Sequence, residues 1–190
     1  MSGEGGWPTT LADADDATEA LATVVQDAAD GRLDLGRVHL AGHSAGGHLA
    51  AWIAGRHTLG PDAPGAQPRI HPRSATIMAG VLDMSFAATA GHDQFVRGLL
   101  GGLPAEQPER YLVASPIEHL PVGLPVTAVH GTDDRTVDPA QSSRYVDAAR
   151  AVGDPAELRL LDGTGHGDFG NAESPAWRTA KSIIIEHVAG

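Results

Sequence analysis

A serine set among small residues, Gly42-His43-Ser44-Ala45-Gly46, joins two runs of opposite character. Before it, Arg37-Val38-His39-Leu40-Ala41-Gly42 is too short for a helix and reads as a strand over 37–42. After it, small and helix-forming residues from Ala45 to about Arg56 read as a helix. In a strand-to-helix setting the pattern G-x-S-x-G acquires a physical meaning. The serine takes a strained backbone conformation, and the glycines leave space where side chains would meet neighbouring backbone. Such a turn exposes the Ser44 hydroxyl and aims the first N–H groups of the helix at the same point, where they stabilise negative charge. The blander reading of the same residues is a glycine-rich turn with a capping serine.

The rest of the chain alternates in the same way. Leu11, Ala14, Ala17, Leu21, Val24, Val25 and Ala28 recur at three- and four-residue steps, which predicts one helix over roughly 9–30 with a single buried stripe. Thr9 or Thr10 would cap it and Gly31 would stop it. The proline-rich stretch 60–72 must be a loop, and 74–79 (SATIMA) is the second strand. Residues 83–120 carry several glycines and prolines and predict one short helix around 93–100. A third strand spans 125–130 and a fourth 157–161. Between them 139–152 reads as a helix, with Asp138 as N-cap and Pro139 at the first helical position. A last helix runs over about 174–188, with Pro175 near its start. The order predicts a single α/β domain over 1–190: a mainly parallel sheet of about four strands with helices on both faces.

A serine hydroxyl is a poor nucleophile until a base takes its proton. Two later segments offer that base and an acid to orient it. His130-Gly131-Thr132-Asp133-Asp134 follows the third strand, and Gly163-Thr164-Gly165-His166-Gly167 follows the fourth. In a parallel sheet with right-handed crossovers every strand ends on the same edge, so Ser44, Asp134 and His166 share it. Their chain order is Ser, Asp, His.

With these segments in view, the chain resembles an α/β-hydrolase. It is similar to bacterial esterases and to arylformamidase-like and prolyl-oligopeptidase-like members of that superfamily. The likeness rests on GHSAGGHLAAW (42–52), HGTDDRTVDPAQS (130–142) and GTGHGDF (163–169). It implies Ser44 as nucleophile, His166 as general base and Asp134 as the acid, with Asp133 as runner-up. The Ala45 N–H would be one oxyanion donor. The implied activity is cleavage of small carboxylic esters, short-chain or aryl, through an acyl-enzyme. The alternatives are an arylformamidase-like amide hydrolase and a non-catalytic truncated scaffold. Family members usually draw a second oxyanion donor from a His-Gly-Gly loop after an earlier strand, and no such motif precedes Ser44. The fold is therefore expected to be a truncated form, with activity weakened unless Gly3, Gly5 or Gly6, or alternatively a partner chain, supplies the second N–H. A further expectation is that the strand at 37–42 is an open sheet edge, covered by a second copy of the chain in a homodimer.

Composition narrows the partners. A net charge of −11 opposes binding to nucleic acid, whose affinity rests on Lys and Arg neutralising phosphates. The absence of Cys removes thiolate metal sites and thiol nucleophiles. His39, His43 and His48 fall on a strand, the elbow and a helix without metal-ligand spacing, so neither a metal nor another cofactor is expected. No apolar run approaches the roughly 18 residues that span a bilayer, and the first ten residues lack the features of an export signal. A cytoplasmic location and a small-molecule ester substrate are expected. Asp138 reads as a helix cap and Asp162 as a solvated strand-end residue. Trp7 and Trp52 read as packing residues, with Trp7 a candidate wall over the elbow.

Overall fold

The computed structural model describes residues 5–189. Four strands, β1 (His39–His43), β2 (Ser74–Met78), β3 (Val126–Gly131) and β4 (Ala156–Leu161), form one sheet in the order β1-β2-β3-β4. All three pairings are parallel, with His39 opposite Ser74, Ala75 opposite Val126, and Val126 opposite Ala156. Because spatial order equals chain order, each crossover moves one strand in the same direction, and a constant hand puts the connecting helices on one face.

That face carries α3 (Ala45–Gly55) and α7 (Ala140–Ala151). Ala50, Ala51 and Ala54 from α3 and Tyr145, Val146 and Ala149 from α7 meet Ala75, Ile77, Val126 and Ala128 of the central strands. The other face is covered by α8 (Pro175–Ala189), whose Ala176, Ala180 and Ile183 pack with Met78, Val129 and Phe169. The small alanines let α3 and α7 approach closely, which suits a chain with only 4% aromatic residues. No helix among the described residues is long and apolar enough to cross a membrane.

The N-terminal helix is shorter than its apolar pattern predicts. It runs as α1 (Thr9–Glu19), a 3₁₀ turn (Ala20–Ala22) and α2 (Val24–Ala28). Only Leu11 of the expected stripe is fully buried, while Val24 is 68% exposed. The β-branched run Thr23-Val24-Val25 is a poor helix former, and Thr23 breaks the helical backbone at φ −130° and ψ −106°. Pro8, not Thr9 or Thr10, stands at the N-cap of α1 and offers no side-chain cap. α2 ends at Ala28, and the chain leaves it through left-handed Asp30 at φ +53° and Gly31 at φ +72°, the expected stop signal.

A buried cation ties α1 to α3. The Arg56 side chain is 1% exposed and donates to Asp15 and, at 2.6 Å, to Glu19. Its second nitrogen also reaches the Ile70 carbonyl at 3.2 Å.

Three short helices occupy 83–120 where one was expected: α4 (Met84–Ala88), α5 (Gln94–Leu100) and α6 (Pro108–Ala114). Asp83 caps α4 by accepting the Phe86 N–H at 2.8 Å, and Asp93 caps α5 through Phe95 and Val96. The Gln141 amide, 2% exposed, anchors this region to α7: its oxygen accepts the Leu82 and Asp83 N–H groups and its nitrogen donates to the Asp83 carbonyl. Trp52 is fully buried and donates to the Val113 carbonyl at 2.8 Å. Trp7 packs with Leu11 and its neighbours as a packing residue and does not wall the elbow.

Candidate active site

β1 delivers its chain into a sharp turn at Ser44, which sits at φ 57° and ψ −122°. Only strong surrounding constraints keep a non-glycine residue there. The Ser44 N–H donates to the Met78 carbonyl at 2.9 Å, tying the turn to the end of β2. A methyl group at Gly42 would overlap the Gly46 carbonyl, so that glycine is a steric requirement. The space beside Gly46 is open, contrary to the expectation that both flanking glycines avoid a clash. The second tight position is Gly47, which faces Gly80 and the Met78 carbonyl.

The other two residues come from the ends of β3 and β4. Gly131 lets those loops touch, since a side chain there would overlap the Thr164 carbonyl. The Asp133 N–H donates to the same carbonyl at 3.0 Å, which seats the loop 163–166 beside 131–134. His166 then stands between its partners. Its Nε2 is 2.9 Å from Ser44 Oγ and its Nδ1 is 2.7 Å from Asp134 Oδ2. The carboxylate only accepts, so Nδ1 carries the proton and Nε2 is free to accept the Ser44 O–H.

Of the two adjacent aspartates, Asp134 meets the histidine, while Asp133 is exposed. Asp134 Oδ1 accepts the Thr136 and Val137 N–H groups at 2.8 and 2.9 Å. Burial alone would raise its carboxyl, but the Val137 N–H, the His166 ring and the Thr136 N–H outweigh it and hold the group below the usual carboxylate range. Pro139, not Asp138, stands at the N-cap of α7, which begins at Ala140, one residue later than expected; the Asp138 carboxylate still accepts the Ala140 N–H at 2.8 Å. Asp162 stays at the surface near Thr132.

Two histidines stand nearer the site than their sequence context suggests. The His43 ring lies 4.6 Å from that of His166 and 5.6 Å from that of Phe169. Burial, followed by the neighbouring His166, lowers the His43 pKa, which favours a neutral ring. His130 lies behind Asp134. The period-2 alternation of β1 and β3 is the signal that could have found both. It turns His43 toward α8 and His130 toward α7. His48 is a core residue bonded to the Ala114 carbonyl.

Ser44 and Ala45 open onto a cavity of about 1380 Å³. Its walls are largely apolar, with Leu49, Met84, Phe86, Val96 and Leu99, while Arg135 and Gln94 also line it. No backbone or side-chain acceptor among the described residues takes the Ala45 N–H, so the first turn of α3 offers a free donor beside Ser44. Of the glycines expected to supply a second donor, Gly3 lies outside the described residues. Gly5 lines the cavity, and Gly6 does not.

Comparisons with known proteins agree with this fold. A family model described as BD-FAE matches residues 1–148, which include Ser44 and Asp134. A truncated carbohydrate esterase from gut microbiota is 22% identical with a TM-score of 0.78, and shares the fold over 100% of this chain and 72% of its own. A thermophilic esterase, Est2 of Thermogutta terrifontis, in a butyrate-bound structure, is 26% identical with a TM-score of 0.71. The likeness covers 94% of this chain and 64% of Est2, so the chain spans less than two thirds of that enzyme. Est2 is also known in a form phosphoramylated by tabun, 27% identical to this chain, with a TM-score of 0.70 and covering 94% and 63% of the two chains. No curated protein matches the chain.

Proposed function

The chain belongs to the BD-FAE family, and from that premise we propose that it is a serine hydrolase cleaving small carboxylic esters through an acyl-enzyme. The observation that carries the proposal is the single imidazole bridging Ser44 Oγ at 2.9 Å and Asp134 Oδ2 at 2.7 Å. In the first half-reaction, Ser44 Oγ attacks the ester carbonyl carbon while its proton passes to His166 Nε2. The carbonyl oxygen becomes an oxyanion within reach of the Ala45 N–H. Collapse breaks the bond to the alkoxy oxygen, which leaves as an alcohol carrying the proton from Nε2. In the second half, water gives a proton to Nε2 and attacks the acyl carbon. Return of that proton to Ser44 Oγ releases the acid. Asp134 holds the Nδ1 proton in place and stabilises the imidazolium without taking the proton. Gly5 N–H is the proposed second oxyanion donor, supported by the position of Gly5 on the same cavity as Ser44. The tabun-modified form of Est2 and the strained φ of Ser44 support the same reading.

The test is hydrolysis of p-nitrophenyl esters of rising acyl length by the wild type, Ser44→Ala and His166→Ala, beside labelling with a fluorophosphonate. Turnover and labelling are expected in the wild type and lost in both variants. Equal turnover in wild type and Ser44→Ala refutes the proposal.

We also propose that a second copy covers the outer edge of β1, which pairs with β2 on one side and with no other strand among the described residues. Light scattering at micromolar concentration is expected to give a dimer mass, and a monomer refutes this.

A further inference from the structure

Asp134 accepts from more groups than the mechanism above requires. Its Oδ1 is occupied by two backbone N–H groups, and Oδ2 takes the His166 Nδ1–H at 2.7 Å. A second imidazole approaches the same Oδ2: His130 Nε2 lies 3.2 Å away, with both side chains wholly buried. From these contacts we infer that His130 is a positioning residue for the ester-cleaving machinery, sharing its Nε2–H between the Val137 carbonyl at 3.0 Å and Asp134 Oδ2 at 3.2 Å, the latter in competition with His166. The inference rests on the esterase reading and deepens it.

The hydrogen-bond partners fix which nitrogen carries the proton. Nε2 faces two acceptors, the Val137 carbonyl at 3.0 Å and the Asp134 carboxylate, so it must donate. Nδ1 is then a lone pair, and the Ser142 O–H on α7 donates to it at 2.7 Å. His130 ends β3 with its side chain toward α7, and the loop 131–137 wraps around the ring. One imidazole thereby ties α7, the Val137 carbonyl and the Asp134 carboxylate together. The result is a five-membered chain: Ser44, His166, Asp134, His130, Ser142.

The titratable groups around this ring are Asp134 on the loop after β3, His166 on the loop after β4 and His43 at the end of β1. α7 faces it with the Ser142 hydroxyl. Burial lowers the His130 pKa against the pull of the Val137 carbonyl and Asp134, which favours a neutral donor. A neutral donor on Oδ2 has a chemical consequence. It disperses part of the carboxylate charge and so weakens the stabilisation of a protonated His166. Oδ1 keeps its two backbone donors when His130 is replaced, so the carboxylate stays in place while its unshared charge grows. The acid limb of the pH–rate profile must then move to higher pH. A merely space-filling residue would leave that limb where it is.

Three variants separate the roles. His130→Leu removes the donor and the Ser142 partner. His130→Asn keeps a polar group on the Ser142 side of the ring but cannot reach Oδ2. His130→Gln restores an N–H at the position of Nε2. The readouts are the acid limbs of kcat/KM for a p-nitrophenyl ester and of the fluorophosphonate labelling rate, each scaled to the fraction of labelled protein. In His130→Leu and His130→Asn both limbs are expected to rise by about half a pH unit or more. Plateau kcat is expected to fall about tenfold, with KM within about twofold. His130→Gln is expected to keep the wild-type limb. If His130→Leu does not fold, the contrast between Asn and Gln carries the test. Limbs that coincide across all folded variants, or that shift equally in Asn and Gln, overturn this inference while leaving the esterase reading intact. A wild type that neither labels nor turns over overturns both.

Discussion

Replacing Asp134 by Asn tests the electrostatics of the site with a minimal change of shape. The direction of the effect follows from the partners of the two carboxylate oxygens. Oδ1 accepts two backbone donors, Thr136 N–H at 2.8 Å and Val137 N–H at 2.9 Å. The new side-chain amide can be placed in two ways. With its oxygen at Oδ1, both backbone bonds survive and the NH₂ points at His166 Nδ1. With its oxygen at Oδ2, the NH₂ confronts two N–H groups, and two backbone donors lose their acceptor at about 1–3 kcal/mol each. The first placement also sets the NH₂ against the His130 Nε2–H, which keeps the Val137 carbonyl at 3.0 Å as its acceptor, so this placement still wins, by at most roughly 2–6 kcal/mol. It has a penalty at the histidine. Nδ1 must accept from the amide, so the ring proton moves to Nε2 and faces Ser44 Oγ, 2.9 Å away. In that tautomer His166 cannot take the serine proton. A tautomer fault of this kind lowers kcat on the order of 10⁴-fold, or about 5.4 kcal/mol. The assay is p-nitrophenyl ester hydrolysis at neutral pH, with the melting temperature measured in parallel. A folded Asp134→Asn protein whose kcat stays within tenfold of wild type refutes the reasoning.

Three other perturbations have defined outcomes. Gly42→Ala is expected to destabilise the elbow and abolish fluorophosphonate labelling, because the new methyl overlaps the Gly46 carbonyl, whereas Gly46→Ala enters open space and gains helix propensity. Thermal melts of the two check this, and the reverse ranking refutes it. Arg56→Leu leaves Asp15 and Glu19 facing a vacated cation site, and the cost of breaking a buried pair, about 3–5 kcal/mol, is expected to lower Tm by about 6 °C or more. His39 is pushed down to about 4 by burial and then by the stacked His187. In that window the unfolded chain binds the extra proton, so stability is expected to fall as pH drops from about 6.5 to about 4. Melts over this range are expected to show a flatter dependence in His39→Leu, and an unchanged slope refutes the assignment.

What the sequence made legible follows from how local each signal is. The four strands and the elbow are bounded by glycine and proline and carry short apolar runs, so each was readable within a residue or two. Ser44, Asp134 and His166 were readable for another reason. Each lies just past a strand, and a parallel sheet brings those ends together whatever the loops do between them. The helix expected over 9–30 failed because its periodicity outran its burial: Val24 and Val25 continue the pattern but remain at the surface, beyond the reach of α3. The two helices missed in 83–120 are held by tertiary partners more than by pattern. Asp83 caps α4 while Arg144 of α7 grips its other oxygen at 2.7 Å, a contact 61 residues distant in sequence.

The histidines show the same boundary between local and distant information. His43 and His130 carry no ligand spacing, and their identity as single residues says only that a polar ring is present. Their roles emerge from the alternation of strand faces combined with strand order. His43 turns toward α8 and meets His166 and Phe169 across the end of the sheet. His130 turns the other way and meets Ser142 and Asp134. One parallel sheet thus positions two imidazoles on opposite sides of the network around His166. One packs against its ring and the other competes for its carboxylate, so the same strand geometry that assembles the site also sets how strongly Asp134 can hold the proton on His166.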